Sequence, residues 1–217
     1  MSLAACSNFE NIANDCPDAK VSWINVMMIN GIKYEGEDKG LSEGEPLQKG
    51  AKLGEVAYTL ADNACSNHRL KDGDAAFLPI GTEIFELVGY KSDFRVIANN
   101  TVYQVSDNEK AETMADLLDI KDKVVKLSLE SNKDGSHISD FPYENSINFI
   151  EDLLAQKYLG YDQVYKKIEG SNRVFLRVHL VDGSSFRIVY WIEDNIVHLG
   201  AYGTEKMKEI VKNKEGI

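Results

Sequence analysis

The chain has 217 residues, 43% hydrophobic and 27% charged, with a net charge of −11 at pH 7. That length supports one large domain or two small ones with a real core, and the composition is that of a globular protein. The negative charge argues against a phosphate backbone as partner, which needs clustered Lys and Arg, so no nucleic acid is expected. No apolar run approaches the length needed to span a bilayer, which predicts a soluble molecule. The carboxylates are dispersed, and the densest stretch, Glu35 to Glu45, is Gly-rich and reads as a solvated loop.

The first residues are Met1-Ser2-Leu3-Ala4-Ala5-Cys6, followed by the polar Ser7-Asn8. Leu3-Ala4-Ala5-Cys6 resembles the lipobox at which bacterial lipoproteins are cut and lipidated on the cysteine. A secretory signal needs a basic n-region and an apolar h-region before the cut. Neither is present, so the expectation is a signal peptide already removed, with Met1-Ser2-Leu3 as an expression-vector scar. The resemblance implies a protein held outside a bacterial membrane through a lipid on Cys6.

With Cys6 as lipid acceptor, two of the three cysteines remain, Cys16 and Cys65. An oxidising compartment would let them pair in a disulfide. Such a bridge closes a loop of about 50 residues and contributes roughly 4 kcal/mol in the chain-entropy model. Neither sits in a Cys-x-x-Cys spacing, so no zinc or thioredoxin-type site is expected. Residues 1–20 are small and polar and read as a flexible tether.

From Val21 the run to Ile29 is rich in strand formers, and Asn30-Gly31 before Ile32-Lys33-Tyr34 is a hairpin signal. Leu53 to Leu60 reads as another strand, and Ala61 to Asp74 as a polar excursion carrying Cys65 and His68. Strand-rich stretches follow at Phe77 to Tyr90, Phe94 to Ala98 and Val102 to Val105, with a turn at Asn99-Asn100. Residues 107–120 read as a connector ending in a helical turn. Residues 21–120 are therefore predicted to form a mostly-β domain, a small barrel or sandwich.

A second domain, α+β, is predicted over residues 121–217. Val125, Leu127 and Leu129 alternate with Lys126, Ser128 and Glu130, as in a half-buried strand. Pro142 precedes a helix from Tyr143 to Lys157 with Ile147, Ile150, Leu153 and Leu154 at helical spacing. Val174 to Leu180, Phe186 to Ile192 and Ile196 to Leu199, joined by turns at Asp182-Gly183 and Asp194-Asn195, predict a meander. A last helix is capped by Thr204 and runs to Lys214, with an apolar stripe of Met207, Ile210 and Val211. The fold class is α+β, its second sheet antiparallel with two helices on one face.

The chain carries no Gly-x-Gly-x-x-Gly, no phosphate loop, no His-Glu-x-x-His and no Gly-x-Ser-x-Gly. No catalytic, cofactor or metal residues are assigned. His179 and His198 are expected on neighbouring strands or one strand apart, where Glu193 or Asp194 would complete a metal site if all faced one side; a structural role is favoured. Asp72-Gly73-Asp74 and Asn132-Lys133-Asp134-Gly135 resemble calcium loops but lack the ligand run, and read as turns. Cys65 and His68 are close in sequence, without a third orienting residue. Tyr90, Tyr103, Tyr190 and Trp191 either line a groove for glycan or peptide or, the favoured reading, fill the cores.

The lipobox with Cys6-Ser7, the stretch Leu78 to Tyr90 containing Ile80-Gly81-Thr82-Glu83-Ile84-Phe85, and the C-terminal meander and helix together resemble uncharacterised cell-envelope lipoproteins of Bacillus-like bacteria. The resemblance implies an envelope protein tethered through Cys6 and brings no catalytic residues. The first expectation is a non-enzymatic module binding a protein, peptide or cell-wall glycan. An envelope hydrolase without a recognised motif and a secreted inhibitor-like module are the alternatives.

Overall fold

A computed structural model describes residues 22–36, 47–61, 63–170 and 172–215. Cys6, Cys16, the expected tether and most of the acidic loop lie outside the described residues. Two asparagine-bearing turns set the register of the first sheet. Asn30 and Gly31 both take positive φ (55° and 78°), the conformation a two-residue hairpin turn demands. They join β1 (Val26–Ile29) to β2 (Ile32–Gly36), with Ile29 opposite Ile32. Asn99 and Asn100, at φ 48° and 58°, do the same for β7 (Arg95–Ala98) and β8 (Thr101–Asn108).

Around these hairpins lie β3 (Lys49–Glu55), β4 (Tyr58–Thr59), β5 (Asp74–Ala75) and β6 (Glu83–Leu87). The eight strands run in the order β3-β6-β7-β8-β2-β1-β5-β4 and curl into a half-barrel. The strand expected over Leu53 to Leu60 is split. β3 pairs antiparallel with β6, whereas β4 pairs parallel with β5, and Val56 and Ala57 turn the chain between them by bonding Thr82 and Gly73. In the stretch Phe77 to Tyr90 only Glu83–Leu87 is strand; Pro79 and Gly81 hold the residues before it in a turn.

The second sheet is antiparallel throughout, with β9 (Val124–Glu130), β10 (His137–Asp140), β11 (Arg173–Leu180), β12 (Ser185–Trp191), β13 (Ile196–Val197) and β14 (Ala201–Tyr202) in the order β10-β9-β11-β12-β13-β14. The predicted meander is present and one short strand longer than expected. Val125 does not share the buried face of Leu127 and Leu129. The register shifts between His179 and Leu180, so Val124 turns inward and Val125 is left exposed. The helices are α1 (Met114–Leu117), α2 (Tyr143–Leu154), α3 (Tyr161–Tyr165) and α4 (Glu205–Glu215). Thr113 caps α1 in a reciprocal box with Asp116, and Thr204 Oγ1 accepts the Met207 N–H at the start of α4.

The fold is thus α+β, with fourteen strands and four short helices among the described residues. The first sheet draws its strands from residues before Val124, the second from Val124 onward, yet one apolar core runs through both. Phe94, in the turn just before β7, packs edge-on against Phe186 of the second sheet at 6.1 Å. Phe149 of α2 meets Tyr190 of β12 at 6.0 Å, which fixes the helix layer on the face carrying Leu127, Leu176 and Ile188. The opposite face carries Glu130, Arg177, His179 and Arg187, beside Phe175, Val189 and the buried Trp191.

Candidate functional site

β12 alternates as a half-buried strand should. Phe186, Ile188 and Tyr190 are fully buried, while Arg187 and Val189 point to the opposite face. On that face Glu130 of β9 is nearly buried and is gripped by two arginines. Arg177 Nε donates to Oε1, and Arg187 Nε donates to Oε2 at 2.7 Å. Burial pulls the Glu130 pKa upward, but the two guanidinium groups outweigh it and hold the carboxyl below its usual range. The Arg187 guanidinium also lies over the Phe175 ring at 5.1 Å.

The edge of β12 is completed by a side chain. The Leu180 N–H donates to the Ser184 carbonyl, so the even-numbered residues of β12 bond toward β11 and the odd-numbered ones toward the other side. At Val189 the carbonyl accepts the His198 N–H at 2.9 Å, and the Val189 N–H donates to His198 Nδ1 at 3.0 Å. The imidazole thereby replaces a carbonyl of the next rung. Burial pushes its pKa down to about 4. A neutral ring whose Nδ1 accepts must carry its proton on Nε2. Among the described residues no hydrogen bond ends on that Nε2–H or on the main chain of Arg187, the next odd position along the edge.

Both residues line a cleft of about 660 Å³ between the two sheets. Its other walls are Lys33 and Glu35 of β2, Gln104 to Asp107 of β8, and Leu159 to Gln163 at the start of α3. Gly200 makes the third wall possible. At φ 107° it packs against the backbone of Gly160, where a Cβ would come within 2.8 Å, and its carbonyl accepts the Leu159 N–H. Asp107 accepts the Tyr158 hydroxyl at 2.6 Å, and burial followed by that bond drives the phenol pKa above its ordinary value. Lys33 pairs loosely with Glu35 at 3.7 Å. A second hollow adjoins the first, sharing Ile24 and Glu35, and is lined by Trp23, Phe77 and Tyr103. Ile24 and Phe77 are more than half exposed there.

Of the residues weighed from sequence only His198 lines this cleft. Cys65 lies between β4 and β5. His68 is turned to Asp74 (Nε2 to Oδ2, 2.7 Å) and stacks on Tyr58. His179 and His198 are one strand apart, as expected. His179 is held by Ser128 Oγ at 2.8 Å, while Asp194 accepts the N–H groups of Glu169 and Gly170, and Glu193 pairs with Lys212. Among the described residues no three His, Cys, Asp or Glu side chains gather as metal ligands. Asp72 caps the Gly31 N–H and Asp134 bonds Ser136, so both loops are held as turns. Tyr103, Tyr190 and Trp191 are buried, and Tyr90 is half-buried beside Arg95. Sequence reasoning placed Arg187 and His198 on strands but missed that they line one cleft, because the cleft is built from segments far apart in the chain.

No protein-family model matches the chain, and searches of curated proteins and of solved structures return no match.

Proposed function

We propose that this chain is a lipid-anchored protein of the bacterial cell envelope, tethered through Cys6, which works by binding a protein, peptide or wall component. The observation that carries the binding role is the cleft between the sheets. Its donors are positioned by main-chain and ion-pair bonds, and its one histidine, at about 4, stays neutral where envelope chemistry runs. Such a ring donates a fixed hydrogen bond; it is badly placed in pKa to shuttle protons as a general base. Convergent polar groups in a preformed concavity are what a binding site requires. Ile24 lines the cleft and, with Trp23, the adjoining hollow.

The Cys16–Cys65 bridge belongs to the same reading, and the bonded state of the Cys65 sulfur supports it. An oxidised pair fits an extracytoplasmic address.

The test is mass spectrometry of the gene product recovered from a bacterial membrane fraction. Diacylglycerol on Cys6 is expected, with a Cys16–Cys65 peptide in the non-reducing map. An unmodified protein in the cytosolic fraction overturns the anchoring.

A further inference from the structure

We infer that the cleft takes an extended, basic peptide segment, laid as an added strand along the open edge of β12; this rests on the binding role proposed above. The ladder of the second sheet stops abruptly at this edge. β13 pairs with β12 only at Tyr190 and Trp191, and His198 supplies one further rung at Val189. Two residues on, about 7 Å along the strand, the N–H and carbonyl of Arg187 face outward with no hydrogen bond among the described residues. Exposed strand edges are templates for pairing, and folded proteins ordinarily cover or blunt them. Here the edge opens into a cleft instead, and the Nε2–H of His198 stands beside it as a second donor for a ligand carbonyl. Strand addition draws its affinity from such main-chain groups and its selectivity from the walls.

The walls specify charge. Glu35, Asp107, Glu109 and Asp162 line the cleft against two cations, Lys33 and Arg187. Arg187 is already matched to Glu130 and Lys33 to Glu35, so a surplus of negative charge faces an occupant. A segment with Lys or Arg on its wall-facing side chains complements it. The volume, about 660 Å³, lies within the range of small-ligand sites.

Fluorescence anisotropy with labelled hexapeptides tests this on the full chain. The probes are alternating Lys-Val, alternating Glu-Val, and the Lys-Val peptide N-methylated at alternate residues on its pairing edge. Saturable binding of Lys-Val is expected, at least tenfold weaker for Glu-Val and for the N-methylated peptide. Asp162→Lys, an exposed change on α3, should weaken Lys-Val about tenfold while leaving the circular dichroism unchanged. Equal binding of acidic and basic peptides, indifference to N-methylation, or no peptide binding at all overturns the inference. Chitotetraose binding in place of the peptides also overturns it, yet keeps the broader binding role. The state of Cys6, read separately by mass, decides the anchoring whichever way the peptides behave.

Discussion

Arg95 of β7 donates from Nη1 to Ser184 Oγ at 2.6 Å, a buried bond that ties the first sheet to the β11–β12 turn of the second. The Ser184 hydroxyl passes the interaction on by donating to Asp182, whose other oxygen accepts from Tyr90. Nε and Nη2 of Arg95 both donate to Gln104 Oε1, and the guanidinium lies about 5 Å from the rings of Tyr90 and Phe94. A positive charge is thus held within the shared core by a relayed carboxylate. Burial tends to raise the Asp182 pKa, but the Ser184 and Tyr90 bonds prevail and keep it low.

Removing the guanidinium leaves Gln104 and Ser184 without their buried donor. Arg95→Met keeps most of the volume, so the loss is polar, and a destabilisation of about 1–3 kcal/mol is expected. Because one core runs through both sheets, urea unfolding of the variant should remain a single transition with a lower midpoint. Two separated transitions would show that the sheets fold independently.

The local features of this fold are written in local signals. Asn30-Gly31 and Asn99-Asn100 mark their hairpins because few other residues accept positive φ. The alternation in β11 and β12 and the Thr204 cap are likewise legible. Val125 misleads because a bulge has no signature in a single strand; it arises from the partner's register. β4 and β5 are two residues each, too short for any periodicity. The cleft is hidden for a deeper reason. Lys33, Ser106, Gly160 and Arg187 carry no local signal of a site, His198 reads from sequence only as a metal ligand or structural residue, and only long-range pairing assembles them.

Glu130 should govern part of the acid limb of stability. Its folded pKa is depressed, so the unfolded chain takes up the proton first as pH falls. The stabilisation is complete above the ordinary carboxylate range, about 4, and is lost as pH falls through the folded value. Asp182 and Asp119 act in the same direction. Thermal melts from pH 7 to pH 3 should show a flatter acid limb for Glu130→Gln. The same variant should lose about 2 kcal/mol at neutral pH, because charge-assisted bonds to two arginines become neutral ones. An acid limb of unchanged slope would assign the proton uptake to other carboxylates.

Gly200→Ala tests the crossing that builds the third wall of the cleft. The added Cβ would meet Gly160 backbone atoms at 2.8–2.9 Å, and φ 107° is strained for any side chain. Backbone strain and overpacking together predict a loss of about 2–4 kcal/mol. Since Leu159 bonds to the Gly200 carbonyl, the start of α3 should move with it. Amide exchange should quicken first over residues 159–165. Exchange that quickens uniformly across both sheets would argue that the crossing stabilises the fold without shaping the cleft.

His198 makes a distinct pH signature. An unfolded imidazole titrates near about 6.5, whereas burial brings the folded one down to about 4. The unfolded state therefore binds the proton first, and stability due to the neutral ring is present above pH 6.5 and lost progressively as pH falls toward 4. His179, lowered chiefly by burial and then by Lys126, shares the upper part of this window. His198→Asn places an amide oxygen near the Nδ1 position, keeps an acceptor for the Val189 N–H, and removes the titration. Between pH 6.5 and 4.5 its stability should fall less steeply than the parent's, by up to about 1.4 kcal/mol per pH unit for one proton. Nitrogen-15 spectra of the imidazole at pH 5.5 should show a neutral ring protonated on Nε2. A ring already cationic at that pH would carry a proton on Nδ1 as well and could not accept the Val189 N–H, which would overturn the rung that fixes the imidazole at the strand edge.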